Sequence, residues 1–279
     1  MKFAVTGANG YIGRYVVKGL LERGFEVVAT DLRVDRVDSR ANIIEANILS
    51  VESDVYSKLG KPDVVIHLAW KDGFKHDSSA HMVNLSAHYQ FIESLFLHGL
   101  PHLVVMGTMH EIGYYVGMID ESTPCNPISM YGIAKDSLRR SAFLISKKYN
   151  ATLQWLRSFY IYGDDRNNNS IFTKIILAEE EGKKLFPFNS GSNQYDFIHI
   201  NDLSKMVIET SCQTDVNGII NCCTGQPIRL SDMVESFIRE NGFSIKLDYG
   251  KFPDRPYDSP CIWGNANKIS KIMKNSLMD

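Results

Sequence analysis

Three glycines set between an apolar run and a helical pattern, Gly7-x-x-Gly10-x-x-Gly13, limit what this chain can fold into more than any other feature. Residues 3–6 read as a buried strand and residues 11–23 as a helix, with the glycines making the turn. In such a turn the first glycine supplies a tight bend and the second lets backbone approach a pyrophosphate. The third lets the helix pack on the strand. The helix start at Tyr11 and Ile12 then presents its amides, and the positive end of its dipole, to phosphate oxygens. Asp31 closes the next strand, residues 26–30, where a carboxylate can accept both ribose hydroxyls of NAD and repel a 2′-phosphate. Arg33 stands two residues on, which leaves NADP open.

The rest of the first half repeats the strand–helix alternation. Near-continuous Val/Ile/Leu runs at 42–46, 64–68, 103–106 and 151–156 have the texture of strands covered on both faces. Helical patterns at 80–98 and 130–148 lie between them. The expected fold class is α/β: a Rossmann-type, doubly wound parallel sheet with right-handed crossovers. Beyond residue 163 the pattern breaks into a polar loop, a helix at 170–181, a turn-rich segment at 185–193, strands at 195–200 and 219–222, and a helix at 231–239. These short elements suggest a small interleaved C-terminal lobe. The division expected is a dinucleotide-binding unit over 1–163 with a returning segment at 196–225, and a substrate lobe over 164–195 and 226–279.

Composition removes several function classes. A formal net charge of -2 over 279 residues gives no long-range pull towards nucleic acid or anionic membrane. No window approaches ~18 continuous apolar residues, so no membrane span is expected. The start, from Met1 directly into Phe3-Ala4-Val5, lacks the order of a signal peptide, and the cytoplasm is the expected location. Cys125, Cys212, Cys222, Cys223 and Cys261 form no Cys-x-x-Cys pair, so reduced thiols and no metal site are expected.

The chemistry points to Tyr131-Gly-Ile-Ala-Lys135, which sets a phenol and an ammonium on one face of a helix behind a loop containing Pro124 and Pro127. A free tyrosine titrates near pH 10, so use as a base near neutrality needs a shift of about three units. A neighbouring lysine favours the phenolate, the required sign. Thr108 ends the fifth strand, where its hydroxyl can hydrogen-bond a reacting oxygen and orient the phenol.

Five motifs occur in order: Thr6-Gly-Ala-Asn-Gly-Tyr-Ile-Gly13, Val65-Ile-His-Leu-Ala69, Thr108-x-x-x-x-Gly113, Tyr131-x-x-x-Lys135 and Asp196-Phe-Ile-His-Ile-Asn-Asp202. Together they resemble the NAD-dependent epimerase/dehydratase family of extended short-chain dehydrogenases, from residue 1 to about 225. The resemblance implies a nucleotide-sugar substrate, with Tyr131 as general acid/base, Lys135 on the nicotinamide ribose and Thr108 as the catalytic hydroxyl. It places Gly7, Gly10, Tyr11, Ile12, Gly13, Asp31, Asn47, Ile48, Leu68 and Ala69 around the cofactor. Met109, His110, Tyr160 and Arg255 fall near the substrate, Tyr160 standing where Asn is frequent. Helices at 80–98 and 130–148 resemble those that form a homodimer contact.

Family members that dehydrate sugars carry Asp-Glu directly after the catalytic threonine. Here those places hold Met109 and His110, and Glu111 would serve only if the loop were shifted. Methionine has no proton to give a leaving hydroxyl. Redox at the sugar ring is therefore expected, as a 4-epimerase or as a reductase of a 4-keto-6-deoxy sugar, with a silent cofactor-binding sensor as the other class. The short C-terminal lobe suits the reductase, and Asp31 the epimerase. His110 is read either as a loop histidine hydrogen-bonded to backbone or as an additional proton donor with an ordinary imidazole pKa. His199 is read as a structural hydrogen-bonding group, and Gln194 with Tyr195 as replacing a frequent Arg.

Overall fold

In the computed structural model, residues 1–50, 54–164, 166, 168–253 and 258–276 are described. The chain runs through β1 (Lys2–Thr6), α1 (Tyr11–Glu22), β2 (Glu26–Asp31), β3 (Asn42–Glu45), α2 (Val55–Lys58) and β4 (Val64–His67). Helices α3 (Ala80–Val83) and α4 (Leu85–Leu97) lead to β5 (His102–Thr108), a 3-10 turn over Met109–Glu111, and β6 (Gly117–Ile119). Then come α5 (Met130–Lys148), β7 (Thr152–Ser158), β8 (Tyr160–Tyr162), α6 (Ile171–Glu180), β9 (Leu185–Pro187), β10 (Gln194–His199) and α7 (Ile200–Ser211). The chain continues through β11 (Gly218–Cys222), β12 (Pro227–Arg229), α8 (Leu230–Glu240), β13 (Lys246–Asp248), β14 (Cys261–Gly264) and α9 (Asn267–Asn275).

Seven strands form the main sheet in the order β11-β7-β5-β4-β1-β2-β3, every neighbouring pair parallel. The apolar runs explain why: both faces of the inner strands are covered, so alternate residues of one strand enter different cores, whereas edge strand β3, expected to be buried, is mostly exposed. Phe3 and Val5 pack with Val16, Val17 and Leu20 of α1 and with Leu203 and Val207 of α7. Ala4 and Val65 face the other way, onto Phe91 and Leu95 of α4 and Leu138 of α5. Each such buried side chain contributes about 1.5–3 kcal/mol. The strand order reverses between β1 and β4, and the crevice beyond their carboxyl ends is where doubly wound sheets bind ligands.

A second sheet, β12-β10-β14-β6 with β8 alongside β10, sits over a third core that includes Phe172, Phe197 and Phe237. Buried Asp196 ties it together, accepting the N–H groups of Thr224 at 2.8 Å, Gly225 at 2.9 Å and Gly264 at 3.3 Å. The structure departs from the sequence reading in three places. The helix expected over 80–98 is two helices parted at Asn84, whose Nδ2 donates to the Ala80 carbonyl at 2.9 Å. The strand at residues 194–199 belongs to the second sheet, and the return to the main sheet begins with α7, which packs on the α1 side. Strands β6, β8 and β12 span three residues each, too few for alternation to show.

Candidate active site

Gly7 adopts φ +70°, and a Cβ there would lie 2.6 Å from the Ala69 nitrogen. At Gly13 it would lie 2.0 Å from the Gly7 carbonyl. The turn therefore passes against the end of β4 only because side chains are absent. Gly10 differs, since a Cβ there would meet only the Gly7 carbonyl, at 3.1 Å. No side chain caps α1, which leaves first-turn amides such as those of Ile12 and Gly13 without a capping acceptor. An uncapped helix start behind a side-chain-free cradle fits a pyrophosphate. The Tyr11 hydroxyl packs against Gly163, where a Cβ would come within 2.5 Å of it.

Asp31 is already oriented: one carboxylate oxygen accepts the Asn9 N–H at 3.0 Å and the other the Leu32 N–H at 2.7 Å. Arg33 is exposed and forms no ion pair among the described residues. Asn47 turns its carbonyl oxygen to the Leu49 N–H at 3.1 Å, and Ile48 beside it is buried. Leu68 and Ala69 donate their amides to the Thr6 carbonyl at 3.1 Å and the Thr6 hydroxyl at 3.4 Å. The carboxyl ends of β1 and β4 are thereby joined at the crevice.

The residues expected to carry the chemistry meet at the end of β5. Thr108 caps the 3-10 turn, its hydroxyl accepting the His110 N–H at 3.3 Å, and it lies on the side of the Tyr131 phenol where it favours the phenolate. Ser129 caps α5, accepting the Gly132 N–H at 3.2 Å, which fixes Tyr131 in the first turn. One turn later Lys135 donates from Nζ to the Met106 carbonyl at 2.8 Å. Burial pushes the Tyr131 phenol well above its usual value, against the opposing influence of the Thr108 side chain. Burial pushes the Lys135 ammonium down to about 7, although Glu111 favours its charge.

Two residues that the motifs did not single out complete the site. Trp70, directly after the Val65–Ala69 motif, lies under Lys135 with Nζ 3.8 Å from its ring centre. His76 accepts the Tyr131 N–H on its carbonyl at 2.9 Å and lays its ring parallel to the phenol, 5.2 Å away at 9°. Their only sequence signal was position in the loop that leaves β4 at the crevice.

His110 packs 4.2 Å from His76, ring to ring, and 6.2 Å from Tyr160, which in turn stacks on Tyr195 at 4.2 Å. Burial, together with His76, holds the His110 imidazole down to about 3. It is neutral at pH 7, so the ordinary imidazole pKa expected for it does not hold in this buried position. Met109 packs into the third core with Ile112 and Phe159. Glu111 turns away from the crevice. Its carboxylate accepts the Thr108 N–H at 2.9 Å, the Trp155 indole N–H at 2.8 Å and Arg157 Nε at 3.2 Å. It is not a shifted dehydratase acid. His199 caps α7, accepting the Asn201 N–H at 3.3 Å, and the Gln194 side chain takes a thiol hydrogen bond from Cys261. Arg255 lies outside the described residues.

Comparison with known proteins agrees with this geometry. The NAD dependent epimerase/dehydratase family profile matches residues 3–223. The chain is 46% identical over 271 residues to a dTDP-6-deoxy-L-talose 4-dehydrogenase (NAD(+)) of Aggregatibacter actinomycetemcomitans, covering 95% of this chain and 99% of the relative. A GDP-6-deoxy-D-talose 4-dehydrogenase of the same organism is 23% identical, covering 99% and 92%. Among solved structures, a UDP-N-acetylglucosamine 4-epimerase from Methanobrevibacter ruminantium superposes with a TM-score of 0.86 at 21% identity, covering 97% of this chain and 91% of that one. With the glycine turn, the Thr108–Tyr131–Lys135 cluster and a profile match over most of its length, the chain belongs to the NAD dependent epimerase/dehydratase family.

Proposed function

We propose that the protein is an NAD-dependent 4-dehydrogenase of a nucleoside-diphosphate 6-deoxyhexose, working as a reductase on the 4-keto sugar. The observation that carries this reading is the 46% identity to a dTDP-6-deoxy-L-talose 4-dehydrogenase along nearly the whole of both chains. The site chemistry supports it. Bound NADH would supply the hydride at C4. Tyr131 gives its phenolic proton to the C4 oxygen, and Thr108 hydrogen-bonds the same oxygen. A raised phenol pKa keeps that proton in place at neutral pH, as carbonyl reduction requires. Lys135 holds the nicotinamide ribose and stabilises the phenolate left behind. Gly7, Gly10, Gly13 and Ile12 hold the pyrophosphate, Asp31 the adenosine ribose, and Asn47 with Ile48 the adenine edge. The carboxylate at Asp31 favours NAD over NADP. The ring wall of His76, His110 and Tyr160 suits a sugar whose C6 is a methyl group, and the two places directly after Thr108 hold no carboxylate to expel water.

We also propose a homodimer through α4 and α5. A groove of about 330 Å³ runs between Met82, Leu85, Tyr89 and Leu138, and Val83 and Leu144 nearby are 74% and 73% exposed. Exposed apolar side chains of this kind on adjoining helices mark an interface. No helix among the described residues is long and apolar enough to cross a membrane. The cytoplasm is the proposed location, and residues 1–163 the core of the dinucleotide-binding unit.

The experiment is an assay of the purified protein with NADH and a panel of dTDP- and GDP-linked 4-keto-6-deoxyhexoses. Stoichiometric NADH oxidation with formation of a 4-hydroxy sugar is expected. Interconversion of closed sugars without net NADH consumption would replace this reading with a 4-epimerase. Bound NAD with no turnover on any sugar would replace it with a sensor.

A further inference from the structure

Lys135 is 4% exposed, and no carboxylate forms an ion pair with it among the described residues. A buried ammonium without a counter-charge tends to shed its proton. Two contacts act against that: the Met106 carbonyl, and the Trp70 ring 3.8 Å from Nζ. A cation over an indole face is attracted by the ring quadrupole, most strongly where water is excluded.

The indole itself is held firmly. Its Nε1–H donates to His81 Nδ1 at 3.0 Å. An indole N–H only donates, so Nδ1 is the unprotonated nitrogen of His81, and its Nε2–H donates to the Lys75 carbonyl at 2.9 Å. Trp70 also stacks on His88, 4.4 Å away at 20°. His88 meets His67 at 2.9 Å, and His67 meets the Thr6 hydroxyl at 2.7 Å. Hydrogen bonds and stacking thus connect the phosphate-loop strand to the ring beneath Lys135. Burial and the Lys135 ammonium hold His88 down to about 3. Burial, His88 and Lys135 likewise hold His67 well below its usual value, so both rings are neutral at pH 7.

We infer that Trp70 is a positioning residue that keeps the Lys135 ammonium charged and aimed at the cofactor ribose, with His81 and His88 fixing the indole. The aim at the ribose rests on the reading of Lys135 proposed above, whereas the hold on its charge does not. The titratable groups around Lys135 are Glu111 from the 3-10 turn, Tyr131 on its own helix, His67 from β4, His81 from α3 and His88 from α4. Glu111 is itself engaged with Arg157 and Arg139. Replacing Trp70 removes none of these groups, and Leu and Phe free His81 Nδ1 alike, so the difference between the two variants reports the ring face and not His81.

The test follows the lysine ammonium signals by ¹⁵N NMR in the full-length protein without cofactor, with Lys135 assigned through Lys135→Met. NAD affinity is measured alongside by calorimetry. The wild-type Lys135 midpoint is expected at about 7. Trp70→Leu should lower it by about one unit and weaken NAD binding about tenfold at pH 7.5, while Trp70→Phe, which keeps a ring face, should lose less than half of that. A folded Trp70→Leu protein with an unchanged midpoint would overturn the inference, as would Trp70→Phe moving as far as Trp70→Leu. If Trp70→Leu fails to fold, Trp70→Met takes its place as the ringless variant: a lowered midpoint supports the inference and an unchanged one overturns it. A wild type that binds no NAD would end the ribose reading and still leave the midpoint shift as the test of Trp70.

Discussion

Two buried ionisable groups flank the Thr108–Tyr131 pair, and the molecule treats them in opposite ways. Glu111, below Thr108, is fully buried and surrounded by donors: a backbone amide, an indole N–H and two guanidinium groups. Lys135, beside Tyr131, is nearly as buried and has a carbonyl and an aromatic face in place of an opposite charge. A buried charge with every lone pair satisfied is framework, because either partner left alone is strongly disfavoured. A buried charge held by neutral groups sits near the edge of losing its proton, which is where chemistry at neutral pH needs it. Residue type and burial alone do not separate structure from function here. The partners do.

The sharpest way to break this comparison is to remove the proton donor and the charge on the chemical side. Tyr131→Phe and Lys135→Met should each lower kcat by at least about 10²–10⁴-fold while leaving the thermal midpoint close to wild type. Assays of turnover and melting on the same preparations check both halves. If either variant melts far below wild type, Lys135 and Tyr131 belong with the framework after all.

On the framework side the effect should fall on stability. Glu111→Ala leaves the Arg157 guanidinium buried without its carboxylate, and urea denaturation should show a loss of about 3–5 kcal/mol. A near-neutral result would mean that the guanidinium finds water, and the contrast with Lys135 would weaken. Smaller still is the cofactor effect of Asp31→Ala. With Asp31 on the adenosine ribose, as proposed, the substitution should raise the NAD dissociation constant about tenfold, with less change for NADP. Equal losses for both cofactors would show that Asp31 does not select between them.

The histidines beside Trp70 give a pH dependence with a definite sign. Folded His88 is held down to about 3, and His67 also lies well below the ordinary range. In the unfolded chain both titrate near about 6.5. Below that pH the unfolded state binds more protons, so stability present above about 6.5 is lost as the pH falls towards the folded value. Melting scans from pH 7.5 to 5 should show a falling midpoint, and His88→Asn should flatten the slope. The smallest effect is expected from His110→Gln. An imidazole already neutral at pH 7 should leave the pH profile of kcat where it was.

Legibility in the sequence followed the length of each pattern. Most of the seven-stranded sheet could be read because its inner strands are apolar runs covered on both faces, although edge strand β3, expected to be buried, is mostly exposed. The crevice could be read because Gly7, Gly10 and Gly13 stand at the end of β1. The second sheet was far less legible: three-residue strands such as Tyr160–Tyr162 carry no period, and α7 follows β10 without a break. Thr108, Tyr131 and Lys135 could be named from spacing, yet their surroundings could not. Trp70, His76 and the inward turn of Glu111 depend on loop paths that local composition does not encode. His110 showed the cost of this, since an ordinary imidazole pKa holds only for a solvated ring.

The central claim, hydride delivery to C4 of a keto sugar with Tyr131 supplying the proton, is tested most directly by isotope transfer. Turnover of a dTDP-4-keto-6-deoxyhexose with NADH deuterated at the transferring position should yield a product carrying one deuterium, at C4, and one oxidised cofactor per sugar. A product without deuterium, or with the label at another carbon, would contradict it.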